Sequence, residues 1–388
     1  MLRVYLDNNA STPVLPEVFE AMRPYYLERF GNASSIHHFG QHARAAVEKA
    51  RNSVAALLNA RPAEIVFTSG GTEADNLGIF GLVRNGDHVI TSTIEHSAVT
   101  NSCKRLEQTG VEVTFVPVNS RGEVDPDDVR KAIRPNTRLI TIMMANNESG
   151  VVQPVEEIGK IALEADVFFH TDAVQAAGKV PVDVQKIQCD ALSISGHKIH
   201  APQGMGALFI KKGTLIQPLL YGGSHERQRR AGTENLPGIV GLGKAAEISK
   251  DWFDHNGPAQ MAAMRDRLEN AILESVEGTG VNGQGALRVP NTASIYFDHV
   301  EGEALVIALD LKGLSVSSGA ACSSGAIEPS HVLLAMGLSH DRARGSLRLS
   351  LGKQTTNEEI DFAIQVIPET VARLREISPT YQKAVVST

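Results

Sequence analysis

Lys198 has the clearest potential for covalent chemistry in this sequence. It follows an apolar run, residues 191–194, that predicts a short buried strand ending in a loop at Ser195. Burial lowers the pKa of a lysine, and the free amine can then form a Schiff base with a carbonyl group. Ser195 and His197 flank the lysine with short donors that suit an anion such as phosphate. A surface lysine after a strand fits this stretch equally well.

The segment 69–72, Ser-Gly-Gly-Thr, is a second candidate anion site. It follows a predicted strand and opens a helix, whose first turn offers free N–H groups and the positive end of the helix dipole. Gly71 would let the backbone approach a phosphate closely, with Thr72 beside it. A plain helix cap is the alternative.

Two polar residues, Asp172 and Gln175, follow the apolar strand predicted at 167–171. A carboxylate is costly to bury unpaired there, and Asp172 could hold a proton on a ring nitrogen, as a pyridinium cofactor needs. Gln175 could donate to the phenolic oxygen of such a cofactor. Helix capping by Asp172 and a solvated Gln175 are the alternatives.

His96 and Asn147 also follow predicted strands. A histidine at a helix start could stack on a flat ring and move protons near neutral pH. Structural capping explains either residue as well. Taken together, however, a phosphate cup, a ring-nitrogen partner, a stacking histidine and a Schiff-base amine describe a site for pyridoxal 5′-phosphate (PLP).

Two more candidates lie near the C-terminus. Cys322 lies in a loop of small residues, 316–329, so its thiol is a candidate nucleophile, whereas Cys103 and Cys189 fit the pattern of buried hydrophobic cysteines. Arg348, in an apolar strand, could bind a substrate carboxylate through two parallel hydrogen bonds. An ion pair at a surface or interface is its alternative.

The elements that must position these residues alternate between strand and helix. The predicted strands of this part are 64–68, 88–91, 111–118, 138–145, 167–171, 191–194 and 207–210. The helices expected here include 16–30, 40–59 and 155–164. This alternation predicts an α/β fold with a mostly parallel sheet flanked by helices, in which ligands bind beyond the carboxyl ends of the strands.

The pattern changes near residues 251–257. Beyond it, helices are predicted at 259–275, 303–311 and 356–376, and strands at 292–297 and 346–350. We therefore predict a large PLP-binding domain over 14–255. Residues 1–13 together with 256–388 would form a smaller α+β domain that carries Cys322.

Composition excludes several classes of protein. The 388 residues carry a net charge of −7 and one short basic run, 227–230, so neither nucleic acid nor a membrane surface is expected as a partner. No apolar run approaches the ~20 residues of a membrane span, and the N-terminus does not look like a signal peptide. Three widely spaced cysteines form no disulfide or zinc pattern. A cytoplasmic protein without an intrinsic metal is expected.

The chain resembles the cysteine desulfurases of the NifS/IscS kind, within the class-V aminotransferase superfamily of fold-type I PLP enzymes. The matching segments run nearly from end to end: 5–12, 67–76, 95–99, 146–148, 170–175, 195–198, 229–235, 317–325 and Arg348. The resemblance implies conversion of L-cysteine to L-alanine, with the sulfur taken up by Cys322 as a persulfide. That sulfur would supply iron–sulfur cluster assembly or other thio-cofactors.

The resemblance also implies a role for each candidate residue. The PLP contacts would be Lys198 in a Schiff base, His96 on the ring, Asp172 on the ring nitrogen, Asn147 and Gln175 on the ring substituents, and Gly71, Thr72, Ser195 and His197 at the phosphate. Thr233 would reach the phosphate across a homodimer interface. Arg348, with Asn147, would bind the cysteine carboxylate, and His96 would assist Lys198 in moving the α-proton.

The sulfur acceptor is less well defined. An iron–sulfur scaffold or another acceptor protein is expected, and Cys322 could transiently ligate a cluster. The C-terminal segment 379–388 does not resemble the tail by which housekeeping members dock a scaffold, and 229–235 looks more like the nitrogen-fixation branch. Two alternatives stay open: a PLP enzyme of different outcome, such as an aminotransferase or a lyase for selenocysteine or cysteine sulfinate, and a non-catalytic binder of a phosphate ligand.

Overall fold

A computed structural model describes residues 3–318, 328–379 and 381, so Cys322 lies outside the described residues. The strands are β1 (Val4–Tyr5), β2 (Ile65–Thr68), β3 (His88–Ser92), β4 (Glu112–Val116), β5 (Thr137–Thr141), β6 (Phe168–Asp172), β7 (Ala191–Ser195), β8 (Gly206–Ile210), β9 (Thr279–Val281), β10 (Thr292–Phe297), β11 (Leu314–Ser315), β12 (Ser317–Ser318) and β13 (Ser346–Ser350).

The α-helices are α1 (Pro16–Met22), α2 (Pro24–Leu27), α3 (His38–Leu57), α4 (Gly71–Phe80), α5 (Ser97–Glu107), α6 (Pro126–Ala132), α7 (Val155–Glu164), α8 (Val184–Ile187), α9 (Leu236–Asp254), α10 (Gly257–Ser275), α11 (Gly302–Leu311), α12 (His331–Ala335), α13 (His340–Arg344) and α14 (Asn357–Glu376). Short 3₁₀ helices occupy Pro62–Glu64, Gly196–Lys198 and His225–Gln228. No helix in these described ranges is long and apolar enough to cross a membrane.

The central sheet has the strand order β2-β8-β7-β6-β5-β3-β4 within the described residues. Strand β8 runs antiparallel to both of its neighbours, and the remaining pairs are parallel. The predicted α/β fold with a mostly parallel sheet is confirmed. The carboxyl ends of β2, β3, β5, β6 and β7 therefore lie along one edge of the sheet.

Helices cover this sheet and bury their apolar faces against it. In α3 the buried positions recur at helical spacing, from Ala43 and Val47 through Ala50 to Val54 and Leu57, and the helix packs against α9. The two helices approach closely: a Cβ added at Gly243 would lie 2.6 Å from the Cβ of Ala50. Packing at this distance therefore requires glycine in α9.

Two helix predictions need correction. The helix expected over 16–30 is interrupted between α1 and α2, because Pro24 has no N–H group with which to continue the hydrogen-bond ladder. Helix α9 was missed. Its sequence contains glycine at 238, 241 and 243 and is buried along most of its length, so it shows no clear apolar stripe.

A second, smaller apolar core lies beside the first. It is built on the antiparallel sheet β12-β13-β10-β9 and on α10, α11 and α14. Val4 and Leu6 from the N-terminus pack into this core, and β1 pairs with β11. The chain then runs from Asp7 to Thr12 toward the carboxyl edge of the large sheet, where Thr12 donates to the carbonyl of His197 at 2.8 Å.

Candidate active site

A cavity of about 400 Å³ opens at the carboxyl edge of the large sheet. Ten of the predicted site residues line it: Gly71, Thr72, His96, Asn147, Asp172, Gln175, Ser195, His197, Lys198 and Arg348. They come from segments that follow β2, β3, β5, β6 and β7, and from β13 of the smaller sheet. Parallel pairing explains their convergence, because it places these strand ends side by side.

Lys198 ends the short 3₁₀ helix that follows β7. Its Nζ donates to the carbonyl of Asn9 at 2.5 Å and to that of Ala10 at 2.8 Å. Burial lowers its pKa to about 8, the nearby Arg348 acts in the same direction, and the carboxylates of Asp172 and Asp7 oppose both. A substantial fraction of the amine is therefore neutral and nucleophilic slightly above neutral pH.

Asp172 is the last residue of β6 and is buried. Its Oδ1 accepts a hydrogen bond from the backbone N–H of Val174 at 2.8 Å. Burial raises its pKa, while His96 and Lys198 favour the charged form. Asp75, also buried, lines the same cavity, and its Oδ1 has no hydrogen-bond partner among the described residues. Acidic oxygens with spare acceptor capacity suit a protonated ring nitrogen.

His96 caps the N-terminus of α5. Its Nδ1 accepts a hydrogen bond from the backbone N–H of Ala98 at 3.1 Å, which leaves Nε2 to carry the proton of the neutral ring. Partial desolvation lowers its pKa below the ordinary 6.5, against the pull of Asp172. The ring is therefore neutral at pH 7, with an N–H group at Nε2 that can donate a hydrogen bond and a face that can stack on a flat ring.

Other residues that line the cavity suit a phosphate. Gly71 begins α4, and a Cβ there would lie 2.8 Å from the Cγ2 of Val174, so no other residue fits without displacement. Ser195 is buried at the end of β7, and burial lowers the pKa of His197 to about 4. Glycine, hydroxyl groups and the start of a helix are the usual elements of a phosphate cradle. The residues present therefore fit both the ring nitrogen and the phosphate of PLP.

Arg348 reaches the cavity from β13. Its Nη2 donates to Oδ1 of Asp7 at 2.8 Å and its Nη1 to the carbonyl of Asn147 at 3.0 Å. Its buried Nε has no partner among the described residues. Because Nη1 and Nη2 each carry a second N–H, the guanidinium is held in place and still has donors for a carboxylate ligand.

Besides Asp75, two residues of the site were missed by sequence reasoning. Asn9 lies 1% exposed, lines the cavity and joins several site residues through its side chain and its carbonyl. Lys179 lies behind Gln175 and is also buried. The spacing of Gln175 and Lys179, four residues apart, was the available signal. Nothing local distinguishes Asn9 from its neighbour Asn8.

Thr233 does not join the cavity. It lines a separate cavity of about 120 Å³ together with Arg230 and Glu226. Arg230 donates from Nε to Oε1 of Glu73, on α4, at 2.8 Å. The segment that carries Thr233 is thus tied to α4, whose first residues line the large cavity, although the threonine itself lines the separate one.

Comparisons with known proteins agree with this geometry. The family model "Aminotransferase class-V" matches residues 4–362. A cysteine desulfurase IscS of Methanosarcina thermophila is 50% identical over 384 residues, which cover 98% of this chain and 95% of the relative. A solved NifS-like protein superposes with a TM-score of 0.89 at 38% identity, covering 96% of this chain and all of its own.

A further solved structure, described as SspA in complex with cysteine, has a TM-score of 0.81 at 38% identity and covers 91% of this chain and 100% of its own. The family match and these relatives extend over nearly the whole chain, including the segments that form the cavity. This chain therefore belongs to the class-V aminotransferase family.

Proposed function

We propose that this protein is a PLP-dependent cysteine desulfurase that converts L-cysteine to L-alanine and takes up the sulfur on Cys322. The observation that carries the proposal is the cavity itself, in which a lysine with a pKa of about 8 shares one space with a buried aspartate, Asp172, and with Arg348. Relatives about 50% identical over nearly the full length are cysteine desulfurases.

Each part of the cavity has a role toward PLP in this proposal. Lys198 would hold the cofactor covalently, Asp172 would keep the ring nitrogen protonated, and His96 would lie on the ring. Asn147 and Gln175 would contact the ring substituents. The phosphate group would lie at Gly71, Thr72, Ser195 and His197. Bound there, PLP supplies an electron-withdrawing ring that stabilises the negative charge left on the α-carbon after deprotonation.

The chain's own residues then bind the amino acid and move its protons. Arg348, fixed by Asp7 and Asn147, would bind the substrate carboxylate through the N–H groups of Nη1 and Nη2 that these two contacts leave unused. The amine of Lys198, once neutral, would remove the α-proton. His96, neutral at pH 7, would assist that transfer.

The sulfur step balances without an external oxidant. The Cβ–S bond of cysteine breaks, an S–S bond forms with the thiol of Cys322, and a proton takes the place of sulfur on the carbon. The products are alanine and a persulfide on the protein. Cys322 is the candidate because Cys103 and Cys189 are buried and burial raises the pKa of the Cys103 thiol to about 12.

The finer features of the predicted enzyme belong to the same proposal. Residues 14–255 would form the PLP-binding domain, and 1–13 with 256–388 the smaller one. Two copies would pair, with Thr233 of each reaching the phosphate bound by the other. This arrangement is consistent with the absence of Thr233 from the lining of the large cavity in its own chain. We also propose a cytoplasmic location. The persulfide sulfur would pass to an iron–sulfur scaffold or another acceptor protein.

The test is alanine formation from L-cysteine by PLP-loaded protein without added keto acid. We expect wild type to form alanine and Lys198→Ala to lose visible absorbance and activity together, because no other amine replaces the covalent link. Lys211→Ala, which removes an exposed lysine, is the matched control and should retain both. An aminotransferase would instead require a keto acid, and a non-catalytic binder would release no alanine.

A further inference from the structure

Lys179 is a buried lysine directly behind the active-site cavity. Lys179 is 6% exposed, and no carboxylate of the described residues forms an ion pair with its amine. It is absent from the lining of the large cavity and instead lines a small one of about 20 Å³, which also includes Lys198. Burial, and then the positive charges of Lys198 and Arg348, lower its pKa well below the ordinary value. A buried amine without an acid partner needs a specific reason to be there.

The amine has two hydrogen-bond acceptors, and both are side-chain amide oxygens. Its Nζ donates to Oδ1 of Asn9 at 3.0 Å and also to Oε1 of Gln175. A lysine amine carries at least two N–H groups whether it is charged or neutral. Both bonds are therefore made in either protonation state.

These bonds determine which way the amide of Gln175 faces. Its Oε1 accepts from Lys179, and its Nε2 donates to the carbonyl of Asn9 at 3.0 Å. In the flipped amide, Oε1 would face the carbonyl of Asn9, so that bond would be replaced by repulsion between two acceptors, and the N–H groups of Lys179 would lose their acceptor on Gln175. The NH₂ group carries a second N–H, and Gln175 lines the cavity.

Asn9 is held by the same amine. Its Oδ1 accepts from Lys179, and its backbone carbonyl accepts from both Lys198 and Gln175. Through Asn9, Lys179 thus supports the carbonyl that accepts a hydrogen bond from Lys198. Through Gln175, it supports a donor that lines the cavity.

We propose that Lys179 is a positioning residue that fixes the amide of Gln175 as a hydrogen-bond donor to the phenolic oxygen of PLP. This inference rests on the proposed function, since it takes PLP as the ligand of the cavity. A donor at that oxygen stabilises its negative charge and so lowers the pH at which the visible absorbance of the bound cofactor titrates.

The test is a double-substitution cycle on PLP-loaded protein, read as the pH midpoint of the visible absorbance band. We expect Lys179→Met and Gln175→Ala each to raise the midpoint by about one pH unit, the size expected for one hydrogen bond to a charged group. The double variant should shift no further than Gln175→Ala alone, because both changes remove the same bond. Additive shifts would overturn the inference.

Lys353→Met is the matched control. It removes a half-buried lysine whose Nζ donates to Oγ of Ser249 at 2.8 Å. Lys353 and Lys179 both line the small cavity. Its midpoint should equal that of wild type. A shift as large as that of Lys179→Met would mean that loss of any nearby charge suffices, and would contradict the positioning role.

Lys179→Gln preserves a donor and keeps the inference testable if the methionine variant does not bind PLP. Its midpoint should stay within a few tenths of a pH unit of wild type, and a shift as large as that of Gln175→Ala overturns the inference. If wild type shows no visible band with PLP, the proposed function fails as well. A normal wild-type band with an unmoved Lys179→Met midpoint contradicts this inference alone.

Discussion

At the scale of single residues, the site depends on setting the charge of one amine. Burial lowers the pKa of Lys198 from 10.5 to about 8, and Arg348 is the largest charged contributor in the same direction. Asp172 and Asp7 limit the shift. The amine is thus reactive near neutral pH while its surroundings remain able to bind anions.

This balance predicts the pH dependence of PLP uptake by cofactor-free protein. The neutral amine is the reactive form, so the rate of colour formation should rise with pH through a midpoint near 8. Arg348→Gln should move the midpoint upward, because it removes a positive charge that disfavours the ammonium form. The exposed Arg342→Gln, the control, should leave it unchanged. A wild-type midpoint near 10.5 would contradict this account of the site.

At the scale of elements, a buried ion pair joins α3, β2 and the turn at Glu226. Arg51 on α3 makes two hydrogen bonds of 2.8 Å with Glu226, which also accepts from the backbone N–H of Phe67 on β2 at 2.9 Å. Glu226 and the next two residues all have positive φ angles, between 46° and 67°. The pair therefore holds a strained turn that leads to the segment with Arg230 and Thr233.

Glu226→Gln should destabilise the protein by up to about 3–5 kcal/mol, because it removes the buried counter-charge of Arg51 and leaves only the half-exposed Glu48, 3.1 Å from its Nε. The free energy of unfolding from urea titrations measures this effect. Glu164→Gln, which breaks the exposed pair with Arg130, should cost no more than about 1 kcal/mol. Equal costs for the two variants would show that burial of the pair is unimportant.

At the scale of the whole molecule, the N-terminal segment connects the two apolar cores through the site. Leu6 packs in the smaller core, and Asn9 bonds to Thr292 and Asn291 on that side and to Lys179 on the other. The two cores therefore meet at hydrogen bonds that also fix the cofactor cavity.

Asn9→Ala should consequently impair stability and PLP binding together. It leaves buried partners on both sides unpaired, at about 1–3 kcal/mol for each group. Thermal unfolding and PLP titration would measure the two losses. The exposed Asn136, which donates to the carbonyl of Gly86, offers the control: Asn136→Ala should change neither by a comparable amount. Loss of stability with unaltered PLP affinity would argue against the connection.

Local sequence was sufficient for much of the fold and site. Apolar runs locate the parallel strands, and the residues after Thr68, Thr141 and Ser195 converge because parallel strands end at one edge. The antiparallel direction of β8 and the buried helix α9 could not be predicted from local sequence. The spacing of apolar residues indicates which positions are buried, and it does not indicate which strands pair. The division into domains and the individual residue roles stay predictions.

The contacts of Asn9 and Lys179 show the other limit. Asn9 meets Lys179 and Asn291 across separations of 170 and 282 residues. No local pattern encodes such pairs, because they depend on how the N-terminal segment lies between the two sheets. Residues that hold others in place are therefore harder to predict than those that contact a ligand.

The central claim is that sulfur passes from cysteine to one thiol, and peptide mass spectrometry after a single turnover tests it most directly. The account predicts that the Cys322 peptide gains one sulfur atom, that Cys103 and Cys189 stay unmodified, and that Cys322→Ala abolishes both persulfide and turnover. Cys103→Ala, as the control, should retain both. Sulfur on a different cysteine, or undiminished transfer in Cys322→Ala, would contradict the account.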